Sequence, residues 1–211
     1  MRLTDKYRPR KFDDVIGQTK AVKVLERIEP GGRSIYITGK SGTGKTTLAE
    51  IIAGTMPTDQ GSFPADIVRV VGRELTTAKL RDITDRWIYC GSHVLIVNES
   101  HGLSRPVIEC FLDLLESLRP NVCVIFTTTN EGNDLFEEHI DAAPFASRCL
   151  IVKLTSQGLA QPFAAYAQTV AQIENLDGRP IDDYVKLVND CKGNLRAVLN
   201  RIEAGEMLIT Q

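Results

Sequence analysis

Gly39-Lys40-Ser41-Gly42-Thr43-Gly44-Lys45-Thr46 fits the phosphate-binding loop G-x-x-x-x-G-K-S/T at every fixed position. The flanks agree with it. Ser34-Ile35-Tyr36-Ile37-Thr38 reads as a buried strand, and Thr47-Leu48-Ala49-Glu50-Ile51-Ile52-Ala53 as a helix. Glycines let such a loop turn tightly enough for its backbone N–H groups to point at a polyphosphate, and the following helix presents its positive end to the same oxygens. Lys45 would reach the β- and γ-phosphates, the Thr46 hydroxyl would take a Mg²⁺ position, and Thr47 continues the cradle. A nucleoside triphosphate site is the expectation.

Working outward, apolar runs alternate with helical spacing. Strands are predicted at Asp66–Val71, Val94–Val97, Val122–Thr127 and Leu150–Leu154, the Val94 run being wholly apolar as in a strand covered on both faces. Helices are predicted over Thr19–Ile28 and Thr77–Ile88, and from Ser104-Arg105-Pro106 through Leu118, with Pro in the first turn of the last. This order implies an α/β fold: a parallel sheet between helix layers. From Thr155 onward the pattern is helical only, at Gln161–Asn175, Ile181–Asp190 and Asn194–Glu206. The expected division is 1–154 for the nucleotide-binding domain and 155–211 for a small helical domain.

Composition sets bounds. Lys plus Arg total 25 and Asp plus Glu 27, a net charge of −2 over 211 residues. That balance excludes a protein that coats nucleic acid along its whole length but permits a local basic patch. No run approaches the roughly 18 apolar residues of a membrane span, and the start lacks a secretory core, so a cytoplasmic protein is expected. Cys90, Cys110, Cys123, Cys149 and Cys191 are scattered, as expected of reduced core residues and not of a zinc site.

Val94-Leu95-Ile96-Val97 runs into Asn98-Glu99. In enzymes with this loop, an acidic residue at the end of such a strand helps hold Mg²⁺, and a second can polarise the attacking water. Glu99 can serve as that base. Asn98 brings an amide oxygen and no charge to the metal, so weaker metal binding is expected.

Five further motifs, in order, carry a resemblance. Tyr7-Arg8-Pro9 is followed by Phe12-Asp13-Asp14-Val15-Ile16-Gly17-Gln18. Then come Thr128-Thr129-Asn130 at a strand end, Ser147-Arg148-Cys149, and Gly193-Asn194-Leu195-Arg196-Ala197-Val198-Leu199-Asn200. Together these resemble the AAA+ clamp-loader ATPases, the small subunits of replication factor C and their bacterial and phage relatives. The resemblance implies ATP with Mg²⁺. It implies that Tyr7, Arg8, Pro9, Val15 and Ile16, with Gly17 beside them, frame the adenine. It implies that Asn130 orients the attacking water or the γ-phosphate, and that the lid residue Arg196 touches the phosphates of its own subunit. It implies that Arg148 acts in trans, as an arginine finger on a neighbouring subunit's ATP. Other AAA+ subunits, a sliding clamp and primer–template DNA are the implied partners.

The sequence departs from the family at Asn98, where an aspartate is usual, and in a long acidic connection from Asn130 to Arg148. Family members also continue past the lid into a helical collar. A truncated chain, or a minimal protein that assembles differently, is therefore expected. DNA contact falls to Arg73, Lys79, Arg81, Arg86 or Arg105, whereas the helix through Glu109, Asp113 and Glu116 carries no basic residue after Arg105. Two further readings stand beside an ATP-hydrolysing clamp-loader subunit. One is a nucleotide-binding structural subunit with weak hydrolysis. The other is a different DNA-processing AAA+ protein, for branch migration or helicase loading.

Overall fold

In a computed structural model, which describes residues 1–57, 64–129 and 143–208, five strands form one parallel sheet. They are β1 (Arg33–Thr38), β2 (Asp66–Val71), β3 (His93–Asn98), β4 (Val122–Thr128) and β5 (Leu150–Lys153), in the spatial order β2-β3-β4-β1-β5. Parallel neighbours need crossovers, and helices supply them. These are α3 (Lys45–Gly54), α4 (Thr77–Thr84), α5 (Arg105–Glu116) and the short α6 (Ala143–Ser147), while α2 (Thr19–Leu25) leads into β1. A short N-terminal helix, α1 (Leu3–Lys6), precedes them.

The side-chain period of two assigns each strand to both faces at once. Leu95 and Val97 of β3, and Val124 and Phe126 of β4, pack toward α4 and α5. Val94, Ile96, Cys123 and Ile125 pack toward α2 and α3, together with Ile35 and Ile37 of β1. Double coverage is why the central residues of these strands are apolar on both faces. On the α5 face, Phe111 and Phe126 meet edge-on at 5.0 Å, and Phe126 and Phe145 at 4.8 Å. Phe145 thereby fixes α6, and with it the segment that carries Arg148, against α5.

Three helices follow: α7 (Ala160–Ile173), α8 (Ile181–Asp190) and α9 (Leu195–Glu203). They enclose a separate core around Tyr184, Leu187, Val198 and Ile202. Asn194 caps α9, its Oδ1 accepting from Ala197 N at 3.2 Å. Leu3, Tyr7 and Ile16 also pack into this core. Glu174 ties the N-terminal segment down, accepting from Lys6 Nζ at 2.6 Å and from the Tyr7 hydroxyl. The phenol of Tyr7 is pushed up by that bond to a carboxylate.

Several expectations are adjusted. The Thr19 helix ends at Leu25, and the Thr77 helix tightens at Asp85–Ile88 into a 3₁₀ turn that carries the buried Trp87. α9 is shorter than the predicted Asn194–Glu206 at both ends: Asn194 is its N-cap, and past Glu203 the chain turns at Gly205, φ 83°. Of the cysteines, Cys123 is a buried core residue whose thiol is pushed up by burial to about 12, but Cys90 is exposed, in the turn after that 3₁₀ segment. No helix among the described residues is long and apolar enough to cross a membrane.

Candidate functional site

The strands end where chemistry is expected. Thr38, Asn98 and Thr128 terminate β1, β3 and β4 at the carboxyl edge of the sheet, where ligands of open α/β sheets bind. The loop from Gly39 to Gly44 leaves β1 there and turns into α3, with Gly42 at φ 78° and Gly44 at φ 100°, values that suit glycine and strain other residues. A side chain at Gly44 would meet no atom within 4 Å, so open space faces the loop. Lys45 is 7% exposed. Its ammonium donates to the carbonyls of Gly39 at 2.8 Å and Lys40 at 2.9 Å. The loop is thus closed around a buried cation aimed along its own concavity.

Thr46 and Asn98, 52 positions apart in sequence, are brought together: the Thr46 hydroxyl lies 3.4 Å from Asn98 Oδ1. Thr127 Oγ1 donates to the same amide oxygen at 3.1 Å. These neutral oxygens suit a hard cation that is carried in on phosphates, so the pair fits the Mg²⁺ expected with ATP. Asn98→Asp keeps both hydroxyl contacts and adds the missing charge. The expected result is Mg²⁺ affinity about 10-fold tighter or more, with faster turnover across a magnesium titration. Unchanged turnover would mean that position 98 does not face the metal.

Glu99 follows in the left-handed conformation, φ 53° and ψ 52°, uncommon for a residue with a side chain. Its carbonyl is packed so closely that a Cβ at Gly72 would stand 2.5 Å from it. The turn therefore depends on a glycine from the loop after β2. The Glu99 side chain is half exposed and reaches the imidazole of His101, Oε2 to Nδ1 at 3.5 Å.

A cavity of about 390 Å³ lies between the loop and the lid helices. Ser41 through Thr47 form its floor, Glu99 one wall, and Arg196 the lid side. Tyr7, Arg8, Pro9, Val15 and Ile16 complete it, so the N-terminal residues expected around the base do face the loop. The lid touches the loop directly: a Cβ at Gly42 would overlap Asn194, 2.1 Å from its Oδ1. Gln18 joins the two parts, its amide exchanging hydrogen bonds with the backbone of Thr155 at 2.9 and 3.0 Å.

Gly17 lies outside the lining. At φ 74° it lets the lid approach, since a Cβ there would be 2.3 Å from Leu159 Cδ2. Gly39 and Lys40 act through their carbonyls on Lys45. Arg148 is also outside the cavity. Its guanidinium donates to Pro144 O at 2.7 Å and forms an ion pair with Glu116 at the end of α5, while Nε is buried with no hydrogen-bond partner among the described residues. Asn130 and the acidic connection after it lie outside the described residues.

Part of the lining was not expected from the sequence: Arg2, Thr4 and Asp5, and from the lid Phe163, Leu195 and Leu199. Leu195 and Leu199 follow the i, i+4 stripe of α9, a signal that shows an apolar face without showing that it borders a ligand cavity.

The profile of the AAA family, "ATPase family associated with various cellular activities", matches residues 35–151, more than half of the chain. DNA polymerase III subunit gamma of Buchnera aphidicola is 26% identical over 230 aligned positions, covering 95% of this chain and 60% of the relative. Probable replication factor C subunit 2 of Dictyostelium discoideum is 23% identical, covering 95% of this chain and 59% of the relative. Among solved structures, the Thermotoga maritima RuvB Holliday junction branch migration motor superposes with a TM-score of 0.67 at 22% identity, over 93% of this chain and 64% of that one. That likeness shows the fold. The chain spans about 60% of the length of these curated relatives.

Proposed function

The chain belongs to the AAA family of ATPases, and from that premise we propose that it is a motor subunit of a clamp-loader-like complex in DNA replication, binding and hydrolysing ATP. The observation that carries this is the convergence of the loop Ser41–Thr47, Glu99 and the lid residue Arg196 on one cavity. Lys45 would exchange its two loop carbonyls for the β- and γ-phosphates of ATP. Glu99 would accept the proton of the attacking water, and Arg196 would counter phosphate charge from above. Thr46 and Asn98 would hold the Mg²⁺ that neutralises the phosphates. Arg148 would leave Glu116 to reach a neighbouring subunit's nucleotide.

The ordered motifs, the Ser147-Arg148-Cys149 triplet above all, favour a clamp-loader role over branch migration. A protruding apolar contact supports a protein partner: Ile88 and Tyr89, adjacent in sequence, are 63% and 67% exposed. Arg73, exposed beside the loop after Glu99, is available to a DNA phosphate. The second reading, a structural subunit that binds ATP and hydrolyses it poorly, is favoured by one observation. The side chain beside Thr46 is an amide and not a carboxylate.

The test measures ATP turnover with primed DNA, with a cognate clamp, and with both. The clamp-loader reading expects several-fold stimulation that requires both. Stimulation by a four-way junction and not by a primed end supports branch migration instead. Tight ATP binding with no turnover under any condition supports the structural subunit.

A further inference from the structure

His101 belongs to none of the motifs above, yet it stands between the two strand ends that the reaction needs. Its Nδ1 lies 2.9 Å from Thr128 Oγ1, at the end of β4, and 3.5 Å from the Glu99 carboxylate, just past the end of β3. The Thr128 hydroxyl donates to the carbonyl of Thr129 at 3.3 Å. With its proton directed there, Thr128 offers His101 a lone pair, and the Glu99 carboxylate can only accept, so a hydrogen on Nδ1 serves both neighbours. That N–H is then directed at an oxygen of Thr128 with the Glu99 carboxylate beside it.

We propose that His101 is a positioning residue for Glu99: through Nδ1–H it ties the carboxylate that activates water to the end of β4. The proposal rests on the ATPase reading above. The main chain makes such a tie necessary and possible. Glu99 is fixed in its backbone by the left-handed turn and by the close packing of its carbonyl on Gly72. Its side chain is half exposed, so an unrestrained carboxylate would sample several rotamers. The 3₁₀ turn Ser100–Gly102, with Gly102 N bonded to Glu99 O at 2.9 Å, folds His101 back toward Glu99, two residues before it. A base misplaced by about 1 Å can cost on the order of 10²-fold in rate. A ring nitrogen that limits this freedom therefore acts on turnover without touching the nucleotide.

Three variants test the proposal. The side-chain amide of Asn superposes on Nδ1 of histidine, and that of Gln on Nε2. His101→Ala and His101→Gln are expected to lower kcat about 10- to 100-fold with KM within about twofold of the parent. His101→Asn should recover most of the rate. Equal rates in all variants, or a KM that rises as kcat falls, would overturn the assignment. A second measurement needs no hydrolysis: ¹⁵N-edited NMR of the imidazole at neutral pH. The Nδ1–H tautomer is expected for His101, with a resonance shift in Glu99→Gln. The Nε2–H tautomer, which free histidine prefers, would overturn the proposal. If the parent shows no turnover that Lys45→Ala abolishes, the ATPase reading fails, and the NMR result still decides the role of His101.

Discussion

Lys45→Ala is expected to weaken ATP binding at least about 100-fold, the equivalent of losing one or two charge-assisted hydrogen bonds in a buried setting. The size of the effect follows from where the charge sits. Lys45 is the full positive charge inside the loop's concavity, it is nearly buried, and it holds two loop carbonyls inward. Arg8 and Arg196 also line the cavity, but from the N-terminal segment and the lid. Truncation removes the cation and its hydrogen bonds to Gly39 O and Lys40 O, of which Lys40 O keeps the Thr43 hydroxyl at 2.8 Å, so the loop loses part of its bracing along with its charge. Isothermal titration with ATP measures the loss, and a thermal melt of the same protein separates it from unfolding. Binding as tight as the parent's would mean that the triphosphate does not lie on this loop.

Much of the fold was legible because the physics is local. A strand covered on both faces must be apolar along its covered length, and Val94–Val97 is, as is Val122–Phe126 within the predicted Val122–Thr127. The Asp66–Val71 and Ile181–Asp190 boundaries agree with the structure residue for residue. Sheet order was not legible, since nothing in β1 announces that it lies between β4 and β5. The loop, Asn98 and Glu99 were readable from motif and strand, and Arg196 only through the family resemblance of the motif around it. The tertiary pairs were not. Thr46 meets Asn98, Arg148 meets Glu116, and Gly17 meets Leu159 only after the chain has folded. Leu3 belongs to the lid core although more than 150 residues separate it from the lid helices, because burying it costs nothing that local sequence records.

These long-range pairs also explain how nucleotide could be sensed. The residues expected to frame the base are packed on the lid core at Tyr7 and Ile16. The loop that holds the phosphates touches the lid at Gly42 and Asn194. A ligand that wedges between them must act on the lid from two sides, with Gln18 holding Thr155 as the fixed point between. Lid angle and nucleotide occupancy would then be coupled through packed contacts, with no change required within either core.

Arg148→Ala is expected to leave ATP binding by the single chain unchanged and to remove the hydrolysis that depends on assembly. The guanidinium lies outside the cavity and is engaged with Glu116 and Pro144 of its own chain. A neighbour's triphosphate is a stronger partner than one half-exposed carboxylate, because charge spreads over its oxygens in the transition state. A guanidinium delivered there is worth about 10³–10⁵ in rate in comparable enzymes. The decisive measurement mixes Arg148→Ala chains with Lys45→Ala chains after their co-assembly has been demonstrated by sedimentation. Each variant alone should be inactive, one lacking the finger and the other the nucleotide. In the mixture, an intact loop on one chain can meet an intact Arg148 on the next, and partial turnover should return in proportion to such junctions. Recovery establishes action between subunits. Co-assembly without recovery assigns Arg148 to its own chain, where the pair with Glu116 would be a structural brace between α5 and α6.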